Sequence, residues 1–75
     1  MKVQLFGIAK SKSTQKSIQL LESAKIEFHF VDILDINTIK GEMLIALTGS
    51  TEIPQLFDRG NSFVGYDQIR KYIGT

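Results

Sequence analysis

Three short stretches hold most of the residues that could do chemistry. Ser11-Lys12-Ser13-Thr14 offers three hydroxyls flanked by Lys10 and Lys12, with Lys16 further on. Ile53-Pro54 contains the only proline, and Gly65-Tyr66-Asp67 places a glycine, a phenol and a carboxylate in a row. The chain has no cysteine and one histidine, His29. Without a thiol there is no disulfide, no thiolate nucleophile and no cysteine-ligated zinc or iron–sulfur site. A lone histidine with no carboxylate cluster around it makes no metal site, so none is expected. A serine or threonine hydroxyl needs an adjacent general base before it can attack. His29 is distant in sequence and has no evident acidic partner to orient it. The hydroxyls of Ser11, Ser13 and Thr14 are therefore expected to solvate a loop, cap a helix or contact a ligand. An anion would suit this last role, because free N–H groups and the macrodipole favour negative charge at a helix N-terminus and Lys10 and Lys12 would reinforce it.

The elements that must position these residues follow from hydrophobic periodicity. Residues 2–8 are dominated by apolar, β-branched and aromatic side chains and read as a buried strand, followed by a polar loop at residues 9–13. A helix over residues 14–25, capped by Ser13 or Thr14, would share Ser17, Ile18, Leu21 and Ala24 on one face. Residues 26–32 alternate at period two, with Ile26, Phe28 and Phe30 on one side and Glu27 and His29 on the other. Strand, helix and strand at this spacing form a βαβ unit with parallel strands and a right-handed crossover. Asp35 or Asn37 would cap a second helix, in which Ile36, Ile39, Met43 and Leu47 form an apolar stripe with Leu44 adjoining. Gly49 is the favoured terminator for that helix. Residues 51–58 and 63–65 read as two strands of a hairpin, turning through residues 59–62. Residues 67–73 close the chain as a helix with Ile69, Tyr72 and Ile73 inward and Asp67 as N-cap. The five phenylalanines have strand spacing and are expected in the core. The order is β-α-β-α-β-β-α, an α/β domain with a mixed four-stranded sheet flanked by three helices.

Composition narrows the functional classes. At 75 residues the chain is expected to be one domain, 1–75, and its 43% hydrophobic and 23% charged residues suit a folded globular chain. A net charge of +1 with mixed signs gives no broad footprint for nucleic acid. No apolar run approaches the ~20 residues of a membrane span. The apolar stretch near the N-terminus is too short for a signal-peptide core and no small-residue cleavage site follows it, so a cytoplasmic location is expected.

Leu47-Thr48-Gly49-Ser50-Thr51-Glu52-Ile53-Pro54-Gln55-Leu56-Phe57 resembles the "LTG…TVPQIF" segment of the glutaredoxins, and Phe63-Val64-Gly65-Tyr66-Asp67 resembles the "IGGYD" segment that follows it. The first strand, the polar loop and the helix with Leu20-Leu21 match the spacing of the "…CPYC…LL" region. The resemblance covers nearly the whole chain and implies a thioredoxin-like fold. It places the family's two cysteines on Ser11 and Thr14, through natural loss or replacement by serine. It also implies a cis Ile53–Pro54 bond, with the Ile53 backbone facing an extended ligand and Gly65, Tyr66 and Asp67 near the γ-glutamyl end of glutathione. The ligand-binding set so implied is Lys10, Ser11, Lys12, Ser13, Thr14, Ile53, Pro54, Gly65, Tyr66 and Asp67. The family's role is glutathione-linked thiol–disulfide electron transfer in redox homeostasis. A cysteine-free member would be redox-inactive and monomeric, with glutathione as a ligand rather than a required cofactor. The alternative is a non-catalytic module that holds an extended peptide or protein partner in the Pro54 groove. Val64 stands where the family has the first of two glycines, and Glu52 where it often has threonine or serine.

Overall fold

The alternation in the first strand decides the layering. In a computed structural model that describes residues 3–35 and 37–74, β1 (Val3–Gly7) buries Val3, Leu5 and Gly7 and turns Gln4 and Phe6 to the other side. It is central: the sheet order is β2-β1-β3-β4. β2 (Phe28–Asp32) runs parallel to β1, and β3 (Gln55–Asp58) runs antiparallel to it with Leu5 opposite Leu56. β4 (Asn61–Val64) completes a hairpin with β3. The parallel pair requires a crossover, which is α1 (Lys12–Ser23). α2 (Ile39–Thr48) follows β2, and α3 (Tyr66–Ile73) follows the hairpin. The element order and the mixed four-stranded sheet with three helices are as the periodicity indicates.

Val3, Leu5, Leu21, Leu56 and Ile69 form the buried core, with Ile18, Ile26, Phe28, Phe30, Phe63, Tyr72 and Ile73 packed around it. α1 and α3 therefore pack together over one face of the sheet. Phe6 projects to the opposite face, where it lies beside Met43, Leu44 and Leu47 of α2 and packs edge-to-face with Phe57, the ring centroids 5.4 Å apart. No helix among the described residues is long and apolar enough to cross a membrane.

Several boundaries differ from the periodicity reading, each for a local reason. α1 begins at Lys12, and its N-cap is Ser11 rather than Ser13 or Thr14. Thr14 is inside the helix and fully buried. Ala24 is the exposed C-cap of α1, not an inward residue. α2 is capped by Thr38, whose hydroxyl accepts from Gly41 N–H at 3.1 Å, rather than by Asp35 or Asn37. Gly49 ends α2 with φ +72°, the left-handed geometry glycine permits. The hairpin turns on only Arg59 and Gly60, both at positive φ, so β4 starts at Asn61. Two consecutive positive φ values define the type I′ turn, whose twist suits adjoining strands. Gly65, not Asp67, is the N-cap of α3, and Asp67 lies in its first turn, where a carboxylate favours the macrodipole.

The largest difference concerns α2. Ile39, Met43 and Leu47 are exposed, and the helix instead buries Gly41 and Leu44. Ile36, placed on the same stripe, lies outside the described residues.

Gly7 fixes the contact between β1 and α1. A Cβ on residue 7 would sit 2.7 Å from both Cγ2 and Oγ1 of Thr14. Thr14 is β-branched and fully buried, so it has no room to withdraw. Gly7→Ala should cost about 1–3 kcal/mol by overpacking. Urea unfolding checks this, and combining it with Thr14→Ala should recover most of the loss. At the far end of the sheet, the Tyr72 hydroxyl donates to Asp58 Oδ2 at 2.9 Å. Burial, then this bond, raise the Tyr72 pKa above the usual 10.0. The raised value means the contribution is complete below pH 10.0 and lost as pH rises through the folded-state value. Tyr72→Phe should cost about 1 kcal/mol at neutral pH and flatten the alkaline limb of a stability–pH profile.

Candidate functional site

The N-terminus of α1, the loop at residues 50–54 and the β4–α3 junction converge. Ile8 O accepts from Ser11 N–H at 2.9 Å, which folds the loop after β1 back before the helix begins. Ser11 caps α1 by backbone conformation only, for its side chain makes no capping hydrogen bond. Its hydroxyl lies 3.1 Å from that of Ser13. Ser13 in turn donates to the Ile53 carbonyl at 3.4 Å, a long contact that ties the helix start to the proline loop. The first turn of α1 contains no acidic residue to offset the macrodipole. Lys10, Lys12 and Lys16 are exposed, and Lys10 and Lys12 add positive charge where the helix end already favours an anion.

The Ile53–Pro54 peptide bond is cis. Pro54 is buried, and its carbonyl accepts from Gly65 N–H at 2.8 Å, which joins the proline loop to the start of α3. Among the described residues, Ile53 N–H donates to no backbone carbonyl. Gly65 has φ +86°, and the Glu52 carboxylate lies directly against it, where a Cβ would collide.

Ser11, Ser13, Ile53, Pro54 and Gly65 thus come together, with Lys10 exposed on the preceding loop and Lys12 exposed at the first position of α1. Thr14 does not join them. Its methyl packs on Gly7, and its hydroxyl accepts from Ile8 N–H at 3.3 Å, so its expected place among the ligand contacts is corrected to a structural one. Tyr66 turns instead toward Lys16, Gln19, Leu20 and Ser23, where an open depression of about 360 Å³ lies between α1 and the start of α3. Asp67 is exposed. Among the described residues no group of three His, Cys, Asp or Glu could hold a metal.

Gln55 is the residue that sequence reasoning missed. It is fully buried, and its amide nitrogen donates to Ser50 O at 3.2 Å and Glu52 O at 2.9 Å. One side chain therefore holds both ends of the turn that leads into Pro54. Thr48 and Ser50 extend the support: Ser50 N–H donates to Thr48 Oγ1, and Glu52 N–H donates to Ser50 Oγ. The only sequence signal was a polar residue at the start of an apolar strand.

No family model matches the chain, and no curated protein matches it. Solved structures do. A glutaredoxin from Archaeoglobus fulgidus superposes with a TM-score of 0.77 at 14% identity, covering 99% of this chain and 87% of that one. The fold is thioredoxin-like. A buckwheat glutaredoxin–glutathione complex gives a TM-score of 0.77 at 15% identity, over 92% of this chain and 64% of its own. A diazinon-metabolizing glutathione S-transferase from the silkworm Bombyx mori gives 0.80 at 19% identity, over 97% of this chain but 37% of the transferase. The chain thus spans about a third of the transferase. At these identities the likeness is one of thioredoxin-like fold.

The Gln55 clamp yields a test. Gln55→Glu would bury a carboxylate against two carbonyl oxygens, which raises its pKa and costs stability while it is charged. At neutral pH the variant should lose about 3 kcal/mol or more. Because the folded-state pKa is raised, stability should return as pH falls and the acid becomes a donor to one carbonyl. Unfolding midpoints at neutral and acidic pH measure the recovery.

Proposed function

We propose that the chain is a redox-silent, glutaredoxin-like domain that binds glutathione without exchanging disulfides. The observation that carries this reading is the α1 N-terminus. Ser11 and Ser13 hydroxyls sit there beside the Ile53 backbone, with uncompensated helix charge and two lysines around them. Glutathione is an anionic tripeptide with an extended backbone, which suits such a site. A solved structure of the same fold, the buckwheat protein, is a glutathione complex. Exchange chemistry is a different matter, since it needs a thiolate and this chain has no cysteine. His29 lies in β2, across β1 from the proline-bearing side of the sheet, and so gives the hydroxyls no general base. The reading implies a reducing cytoplasm, where glutathione sets the thiol poise, and a part in redox homeostasis by binding rather than by electron transfer.

Glu52 favours a second reading. Its carboxylate against Gly65 repels an anionic ligand there, so an uncharged extended peptide pairing with the Ile53 backbone would be held instead.

Titrating reduced glutathione into isotope-labelled protein separates the two. Amide shifts at residues 11–13, 53 and 65–67 are expected, and Glu52→Gln should tighten binding several-fold by removing the repulsion. Shifts only with a neutral extended peptide would favour the second reading, and none with either ligand would exclude both. Ser11→Cys should form a mixed disulfide with oxidised glutathione, since a helix N-terminus lowers a cysteine pKa.

A further inference from the structure

α2 is apolar on two sides, and the fold covers only one. Gly41 and Leu44 face the protein. Ile39, Met43 and Leu47 are 77%, 61% and 74% exposed. Their spacing of four residues lines them up in one ridge along the outer face. A surface helix ordinarily carries one apolar face, turned to the core, so this second apolar face lacks the cover such a face normally has. Beside the ridge lies an apolar cavity of about 130 Å³ lined by Phe6, Lys40, Met43, Leu44 and Leu47. That is close to the size that accepts a benzene ring, hence one aliphatic side chain.

We propose that this face is a homodimer interface, in which two copies of α2 cross antiparallel at Met43. Two-fold symmetry demands a self-complementary patch, and this ridge is one. An axis through Met43 sets Ile39 of each copy on Leu47 of the other and Met43 on Met43, so large apolar residues meet along the whole contact. Charge fits a second copy as well. The exposed charges on the helix are Lys40 and Glu42, one of each sign, so the patch neither repels itself nor selects a partner of opposite charge. The crossing also brings Lys40 to the last turn of the other helix. That turn has no basic residue of its own, and its free carbonyls favour a cation.

The area is sufficient. At roughly 100 Å² for each large apolar side chain, the ridge with Phe6, Ala46 and the stem of Lys40 offers about 400 Å² of apolar surface. In a homodimer interface about 65% of the area is apolar, so this serves roughly 600 Å² per copy, the lower limit for a specific pair. A pair at this lower limit of area is a weak dimer, half-formed between about 10 μM and about 1 mM, in place of the monomer expected from the sequence.

Sedimentation equilibrium of the 75-residue chain tests this, between about 10 μM and about 1 mM. The mass should rise from 8.4 kDa toward twice that value. Amide shifts on dilution should concentrate in residues 39–47. Met43→Glu and Met43→Lys should each stay at monomer mass with unchanged circular dichroism, and an equimolar mixture of the two should associate again. If either variant fails to fold, Leu47→Gln replaces it, with at least a tenfold weaker association expected. A wild-type mass of 8.4 kDa at the highest concentration overturns the proposal. So does a dimer that persists in the variants, or a monomeric wild type that binds phosphatidylcholine vesicles or an amphipathic helical peptide through this face.

Discussion

The close approach of the first helix to the central strand is the constraint on which the arrangement depends. Gly7 lacks a side chain, so Thr14 can press onto the end of β1. That contact sets the height at which α1 begins and turns Thr14 inward. Ser11 and Ser13 are left at the rim, where Ser13 reaches the Ile53 carbonyl and Ser11 lies against Ser13. Two hydroxyls one residue to either side of Lys12 thus meet the proline loop, while a third, one position further on, is part of the core. The difference between a site residue and a packing residue here is a rotation of one helical step.

The second half of the site is held from beneath. Gln55 begins β3 and is paired through the strand with Phe6 of β1, so its amide is anchored in the sheet while it fastens Ser50 and Glu52 above. Its Oε1 has no partner among the described residues. The two amide bonds fix the proline loop, because among the described residues neither carbonyl has another side-chain donor.

The two faces of the sheet are covered unequally. α1 and α3 pack over the core face, whereas among the described residues α2 is the helix on the other, with Leu44 beside Phe6. Gln4 stays exposed on that side. A single ten-residue helix is too narrow to close a four-stranded face. The imbalance leaves α2 with an exposed apolar ridge of Ile39, Met43 and Leu47.

Much was legible in the sequence because it depends on residue type or period. The absence of cysteine rules out thiolate chemistry in any fold. Alternation in residues 26–32 and helical spacing in residues 14–25 gave the strands and helices, and with the hairpin they gave the thioredoxin-like order. Periodicity reports that an apolar stripe exists, but it does not say which of two stripes is buried. In α2 the tertiary structure buried Gly41 and Leu44 and left the ridge of Ile39, Met43 and Leu47 exposed. The helix caps expected from residue type, Ser13 or Thr14, Asp35 or Asn37, and Asp67, gave way to Ser11, Thr38 and Gly65, because the path of the chain into each helix decides which residue stands at the cap. Likewise the burial of Thr14, the reach of Gln55 across the turn and the seat of Glu52 on Gly65 join residues on different elements. They depend on distances that exist only once the sheet has brought those elements together.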